Sequence, residues 1–214
     1  MDTKRKIFNL IILDESGSMQ SIKQSTIEGF NETAQTIKGI QQQNPGEEHF
    51  ITLVTFNGLG IKTLLSNQPV TELTEINGER YLPNAGTPLY DAMGFALKRL
   101  RTQLELIKNY TVLVTIFTDG EENASKDFNG EAIKRLVEEL KVQQWTFTYI
   151  GANHDVQKFA RDLSIHNAVA FTSNPESVHQ TLADERSARQ RHFQRLRENK
   201  PVGEDYFADD KPAA

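Results

Sequence analysis

Residues 6–18, KIFNLIILDESGS, join an apolar run to a short polar loop. The run at 7–13 is almost entirely Ile, Leu and Phe, which is typical of a strand buried on both faces of a parallel sheet. It ends at Asp14, and Ser16 and Ser18 follow at alternate positions. Because ligands bind at the carboxyl ends of parallel strands, the stretch predicts a central strand that brings a carboxylate and two hydroxyls to that edge.

The same stretch also resembles a signal peptide, because Lys4, Arg5 and Lys6 precede the apolar run. However, the run is at the short end of the ~7–15 residues of such segments, and no small-residue cleavage pattern follows it. The sequence contains no cysteine and no run near the ~20 apolar residues of a membrane span. We therefore expect a cytoplasmic chain with no membrane segment.

Short β-rich runs alternate with helical patterns along the rest of the chain. Apolar spacing predicts further strands at residues 49–56, 61–65, 110–117, 145–150 and 168–172. It predicts helices at residues 19–43, 88–100, 128–142, 156–163 and 176–197, with mostly loop at 67–86. Such alternation implies right-handed crossovers. The expected fold class is α/β, doubly wound and Rossmann-like, with a mostly parallel central sheet, helices on both faces and one short antiparallel edge strand at 61–65.

Composition limits the domain organisation and the partners. The 214 residues, 37% hydrophobic and 25% charged, suit one globular domain, predicted at 1–198. A flexible tail rich in acidic residues, Pro and Ala is expected at 199–214, where little can be buried. A formal net charge of -5 argues against a nucleic-acid partner, because phosphate contacts need clustered positive charge.

Two more polar side chains are predicted to reach the same edge of the sheet. Asp119 follows the strand at 110–117, and Thr87 lies in the loop that opens the helix at 88–100. Carboxylate and hydroxyl oxygens are the ligands that a hard cation such as Mg²⁺ prefers. The sequence therefore predicts a metal site formed by Asp14, Ser16, Ser18, Thr87 and Asp119. Taken singly, each motif is also explained as a helix cap or a turn.

Together these motifs resemble the von Willebrand factor A domain family. Residues 14–18, DESGS, match its D-x-S-x-S signature, Thr87 in GTPL matches its separate threonine, and Asp119 in FTDG matches its later aspartate. The resemblance implies a metal-ion-dependent adhesion site. Ser16, Ser18 and Thr87 would contact Mg²⁺, with Mn²⁺ or Ca²⁺ as alternatives, and the two aspartates would act largely through water.

The resemblance further implies a non-enzymatic module in which the metal ion coordinates a Glu or Asp side chain of a partner protein. Short cytoplasmic relatives suggest an adaptor role in an ATPase- or stress-related assembly. The alternative is a metal-dependent phosphohydrolase of haloacid dehalogenase-like type with Asp14 as nucleophile. That family places a second aspartate where Ser16 stands, and it needs a later acidic pair, whereas the Asp209-Asp210 pair lies in the tail. A scaffold without metal would leave the five-residue pattern unexplained.

Two further patterns are interpreted as ordinary surface. Glu121, Glu122 and Asn123 follow the second aspartate and are expected to be solvated. The last helix carries five arginines and is expected to show a solvated basic face, with Phe193 and Leu196 packed inward. These arginines are Arg186, Arg189, Arg191, Arg195 and Arg197.

Overall fold

The computed structural model of the chain describes residues 4–203 and 205–208. Its strands are β1 Arg5–Asp14, β2 Glu47–Asn57, β3 Gly60–Pro69, β4 Tyr110–Thr118, β5 Trp145–Gly151 and β6 Asn167–Ala170. Its α-helices are α1 Lys23–Gln43, α2 Leu89–Leu104, α3 Gly130–Lys141, α4 Val156–Asp162 and α5 Pro175–Arg197.

All six strands form one sheet in the order β3-β2-β1-β4-β5-β6. β1 pairs in parallel with both β2 and β4, and β5 and β6 continue the parallel arrangement. β3 pairs antiparallel with β2 at the edge. The predicted doubly wound, mostly parallel sheet with one antiparallel edge strand is confirmed. The carboxyl ends of β1 and β4 lie side by side, with Leu13 opposite Phe117.

Alternation along β1 explains why helices cover both faces of the sheet. Leu10 and Ile12 are fully buried in a core that includes apolar residues of α2, α3 and α4. Ile11 and Leu13 lie in a second core with apolar residues of α1 and α5. Successive side chains of a strand point to opposite faces, so a run that is apolar at nearly every position requires a helical layer on each side.

Most elements differ from their predicted bounds by a few residues, and two of the differences have a visible cause. The helix predicted from residue 19 opens with a 3₁₀ turn at Gly17–Ile22, and α1 follows from Lys23. The edge strand extends beyond 61–65 because Thr52 Oγ1 donates to Asn67 Oδ1 at 2.9 Å and accepts from the Asn67 N–H at 3.0 Å. These side-chain bonds hold a polar segment against β2, and an apolar pattern gives no sign of them.

The predicted solvated basic face of α5 is wrong for Arg189. Its side chain is completely buried and pairs with Glu185, Nη2 to Oε1, at 2.6 Å. It also donates to Asn9 Oδ1 of β1 and to Thr115 Oγ1 of β4, each at 2.8 Å. A buried charge requires such partners, and here two polar strand positions on the face under α5 supply them.

The described part of the predicted tail packs on the domain. Tyr206 is buried, its N–H donates to Asn167 Oδ1 at 3.1 Å, and its hydroxyl donates to Glu185 Oε1 at 2.9 Å. Residues 204 and 209–214, including the Asp209-Asp210 pair, lie outside the described residues, and the domain boundary at 198 stays a prediction. Within the described ranges, no helix combines the length and apolar character needed to cross a membrane.

Candidate functional site

The five predicted site residues all lie at the carboxyl edge of the sheet. Asp14 is the last residue of β1, and Asp119 follows the last residue of the neighbouring β4. Ser16 and Ser18 lie in the loop and 3₁₀ turn after β1, and Thr87 lies two residues before α2 begins.

A continuous series of hydrogen bonds joins four of these residues. Asp14 Oδ1 accepts from the Ser16 N–H at 2.7 Å. The Ser16 and Ser18 hydroxyl oxygens are 3.2 Å apart, and Ser18 Oγ donates to Asp119 Oδ1 at 2.6 Å. The structure therefore brings the two carboxylates and the two serine hydroxyls into one cluster.

The surroundings of Gly120 place Thr87 beside this cluster. A Cβ placed on Gly120 would lie 3.4 Å from Thr87 Oγ1 and 3.8 Å from Ser18 Oγ. The two hydroxyls therefore border the same space, and that space is open because residue 120 has no side chain. Thr87 thus lies beside Ser18, and Ser18 is in turn joined to Ser16 and Asp119.

The segment of Thr87 is held by residues that were expected to be solvated. The Thr87 N–H donates to Asn123 Oδ1 at 2.9 Å, and the Asn123 N–H donates to Thr87 O at 3.1 Å. Glu122 accepts from the N–H groups of Ala124 and Tyr90, at 2.9 and 2.8 Å. Glu122 is half-buried, so the expectation is wrong for this residue, because loop main chain near the helix start needs acceptors. Asn123 is exposed, as expected, although its side chain also accepts from the Thr87 N–H. Glu121 is exposed, as expected.

Asp14 is fully buried, and its electrostatics differ from those of a surface carboxylate. Burial raises its pKa to about 6, against the opposing effect of hydrogen bonds from Thr118 and Ser16. The Thr118 hydroxyl donates to Asp14 Oδ2 at 2.6 Å, and the nearby Asp119 charge raises the pKa further. A second carboxylate close by makes the charged form of Asp14 costly without a cation.

Glu15 is a residue of the site that sequence reasoning missed. Its side chain is completely buried, accepts from the Leu82 N–H, and lies 3.5 Å from Lys62 Nζ. Its carbonyl oxygen accepts from the Asn84 N–H at 2.9 Å. Glu15 therefore ties the segment before Thr87, and the edge strand β3, to the loop that carries the serines. The only sequence signal was a second acidic residue directly after Asp14.

Three other residues complete the surroundings and were also missed. Tyr81 is fully buried and donates its hydroxyl to the carbonyl oxygen of Asp14. Ser173 Oγ donates to Asp119 Oδ2 at 3.2 Å, and Asn153 Nδ2 donates to Asp119 O at 2.8 Å. They come from distant parts of the chain, so no local motif marks them.

The donor chemistry fits a hard divalent cation. The cluster offers two carboxylates and three hydroxyls, which are oxygen ligands of the kind that Mg²⁺ and Ca²⁺ prefer. No group of three or more His, Asp or Glu residues suited to a metal occurs among the described residues. A cation at this edge would therefore depend on the hydroxyl oxygens as well as on the two aspartates.

Comparison with known proteins identifies the family. The family model of the von Willebrand factor type A domain matches residues 10–185. The chain belongs to this family. The match contains all five site residues, whereas a search of curated proteins finds no match to the chain.

Solved von Willebrand factor type A structures share the fold. One from Catenulispora acidiphila has a TM-score of 0.59 at 14% identity, covering 87% of this chain and 43% of that protein. The SpRpn10 VWA domain has a TM-score of 0.52 at 17% identity, covering 83% of this chain and 94% of that one.

Proximal thread matrix protein 1 from the mussel byssus, described with a zinc-occupied MIDAS motif, gives a TM-score of 0.56 at 12% identity, with coverage of 88% and 47%. The chain thus spans less than half the length of the Catenulispora and mussel proteins. Identities this low support the fold alone.

Proposed function

We propose that the chain is a metal-dependent protein-binding module. Asp14, Ser16, Ser18, Thr87 and Asp119 hold a divalent cation, Mg²⁺ in the first instance with Mn²⁺ or Ca²⁺ as alternatives. The cation in turn binds a Glu or Asp carboxylate of a partner protein. The observation that supports the proposal is the contiguous cluster of side-chain oxygens at this edge, in which hydrogen bonds join Asp14, Ser16, Ser18 and Asp119. Thr87 Oγ1 and Ser18 Oγ border the same space, at 3.4 and 3.8 Å from a Cβ added to Gly120.

Hydrogen bonding within the cluster gives the cation a preference for an acidic ligand. Both Asp14 oxygens already accept hydrogen bonds, from Ser16 and Thr118, and both Asp119 oxygens accept from serine hydroxyls. Neutral hydroxyls are then the nearest ligands, so the charge of a bound cation is weakly neutralised. When bound, the cation supplies an open coordination position that an incoming carboxylate fills. This is binding and requires no chemical step.

The same contacts argue against the phosphohydrolase alternative. A nucleophilic aspartate must present a free oxygen to its substrate. Asp14 is completely buried, and its oxygens accept from Ser16 N–H at 2.7 Å and Thr118 Oγ1 at 2.6 Å. Ser16 also stands where the second aspartate of such enzymes is expected. We therefore propose a non-enzymatic module. The adaptor role in an ATPase- or stress-related assembly and the cytoplasmic location stay predictions.

Calorimetric titration with Mg²⁺ and Mn²⁺ tests the proposal. Thr87→Ala removes a hydroxyl ligand and Asp119→Asn removes a negative charge beside the cation, and for each we expect at least about tenfold weaker metal binding, which corresponds to about 1.4 kcal/mol. Titrations with and without acetate separate the affinity of the bare site from that of the site completed by a carboxylate.

Two matched variants serve as controls. Thr36→Ala removes a hydroxyl that bonds only to Glu32 O of its own helix α1, at 2.9 Å. Asp184→Asn changes an exposed carboxylate of α5. Both should bind metal like the unaltered protein. The proposal fails if Thr87→Ala and Asp119→Asn also bind normally, or if the unaltered protein binds no metal even with acetate.

A further inference from the structure

Two large apolar side chains are exposed at the edge of the sheet that carries the candidate site. Leu59 is 75% exposed and Leu82 is 51% exposed. Single exposed leucines are ordinary on protein surfaces. What distinguishes this pair is that both belong to segments bonded to the site, as the contacts of each show.

Leu59 lies in the turn between β2 and β3, beside the segment of Thr87. Its N–H donates to Asn57 Oδ1 at 2.9 Å, which fixes the turn. Gly58 approaches the Thr87 segment so closely that an added Cβ would lie 2.8 Å from the nitrogen of Gly86. The turn that exposes Leu59 therefore contacts the residue directly before Thr87.

Leu82 precedes the Thr87 segment and is held by the loop after β1. Its N–H donates to the buried Glu15 carboxylate, and the Asn84 N–H donates to Glu15 O at 2.9 Å. The Gly17 N–H donates to Ala85 O at 2.9 Å, so three hydrogen bonds join this segment to the loop that carries Ser16 and Ser18. Both exposed leucines thus lie on elements fixed to the cluster.

The opposite side of the site is polar. There Asn153 and Ser173 donate to Asp119, and Glu121 is exposed. The two exposed leucines therefore lie on the β2–β3 side, together with the half-exposed Lys62, whereas the groups that contact Asp119 on the β4–β5 side are polar. A partner segment whose acidic residue enters the cluster meets these two sides with the residues next to that acid.

We infer that the partner carries a large aliphatic residue adjacent to its acidic residue, and that this aliphatic side chain docks on Leu59 and Leu82. The inference rests on the proposed function, because the carboxylate bound to the cation positions the neighbouring residue. Removing apolar surface from water favours the contact, and the charged cation alone gives no preference between neighbours of the acid. Leu59 and Leu82 thereby determine which acidic segments bind.

NMR titration of the ¹⁵N-labelled protein in Mg²⁺ tests this with two capped peptides. They are Gly-Gly-Leu-Glu-Leu-Gly-Gly and Gly-Gly-Ser-Glu-Ser-Gly-Gly, each with an analogue containing Gln for Glu. We expect the leucine peptide to bind about tenfold more tightly than the serine peptide, which corresponds to about 1.4 kcal/mol. The double variant Leu59→Ser/Leu82→Ser should lose this preference. Leu106→Ser, at a leucine 95% exposed beyond the end of α2, should keep it.

The other outcomes separate failure of the inference from failure of the proposed function. Equal, Mg²⁺-dependent binding of the two glutamate peptides overturns the inference alone, as does metal binding without binding of either peptide. Loss of a dimer in the double variant, measured by sedimentation, assigns the leucines to a second copy and overturns it too. Equal binding of the glutamine analogues, or absence of metal binding in calorimetry, overturns both.

Discussion

At the scale of single residues, the Glu185–Arg189 pair is a buried ion pair whose disruption is expected to be costly. Arg189 has no exposure, and its guanidinium is surrounded by Glu185, Asn9 and Thr115. The Glu185 charge raises the pKa of Arg189 against the effect of its burial. Breaking one partner of a buried pair leaves an uncompensated charge, which is more destabilising than replacing both.

We expect Arg189→Met to lower the free energy of unfolding by about 3–5 kcal/mol. The double variant Glu185→Leu/Arg189→Met should be less destabilised than the single one, because no lone charge remains. Arg101→Met is the matched control, since the Arg101–Glu139 pair at 3.3 Å is partly exposed and such pairs contribute about 0–1 kcal/mol. Urea unfolding of the unaltered protein, the two single variants and the double variant measures these free energies. Equal losses in Arg189→Met and Arg101→Met would contradict this account.

The residue scale also shows what the sequence could predict of the site. The placement of Asp14, Ser16, Ser18, Thr87 and Asp119 at one edge of the sheet was predictable because strand ends and a family pattern mark them. Their supporting residues were not, because Glu15 acts through the Leu82 N–H and Tyr81 through the Asp14 carbonyl. Contacts to main-chain groups far along the chain leave no spacing pattern. Arg189 was misinterpreted for the same reason, since its partners lie on β1 and β4.

At the scale of elements, α2 packs on the segment before α3 through a glycine. A Cβ added at Gly94 would lie 2.6 Å from the ring of Phe128, so the ring or the helix must move. We expect Gly94→Ala to destabilise the fold by about 1–3 kcal/mol through this overpacking, although alanine favours a helix.

Gly39 in α1 is the matched control, because an added Cβ there meets no atom within 4 Å. Gly39→Ala should stabilise the protein by about 0.4–1 kcal/mol, since alanine restricts the unfolded chain. Thermal and urea unfolding should show a lower free energy of unfolding for Gly94→Ala and a higher one for Gly39→Ala. If both substitutions stabilise the protein, the close approach of α2 to Phe128 does not constrain the packing.

Element type was predictable wherever apolar periodicity alone decides it. The runs that became β1 and β4 are mostly apolar, β5 alternates aromatic residues with threonine before Ile150, and α2 and α3 carry regular apolar spacing. The bounds of β3 were not predictable, because Thr52 and Asn67 extend it by side-chain hydrogen bonds. The 3₁₀ turn before α1 likewise depends on the loop contact between Gly17 and Ala85.

At the scale of the whole molecule, α5 links the site to the far side of the domain. The helix starts just after Ser173, whose hydroxyl donates to Asp119. In its middle, Glu185 accepts a hydrogen bond from the Tyr206 hydroxyl at 2.9 Å. Composition predicted a flexible tail at 199–214, because the average polarity of the segment does not reveal that one aromatic residue, Tyr206, is buried. The same region contains His192, whose burial affects how the entire fold responds to acid.

His192 is buried, and this burial lowers its pKa to about 3, with Arg189 and Arg195 lowering it further. In the unfolded chain its pKa is about 6.5, so between these values the unfolded state binds a proton that the folded state does not. The contribution of His192 to the free energy of unfolding therefore falls as pH decreases below 6.5. Linkage gives a loss of about 2 kcal/mol from this residue between pH 6.5 and 4.5.

His192→Phe should remove this contribution, and His192 Nε2 has no hydrogen-bond partner in the described structure to lose. The lowered pKa values of His49 and Glu47 act in the same direction and the raised pKa of Asp14 in the opposite one. All three residues are present in both proteins and cancel in the difference. Urea unfolding at pH 6.5, 5.5 and 4.5 should therefore show a shallower decline for the variant. Parallel declines would mean that His192 gains its proton in the folded protein as readily as in the unfolded chain.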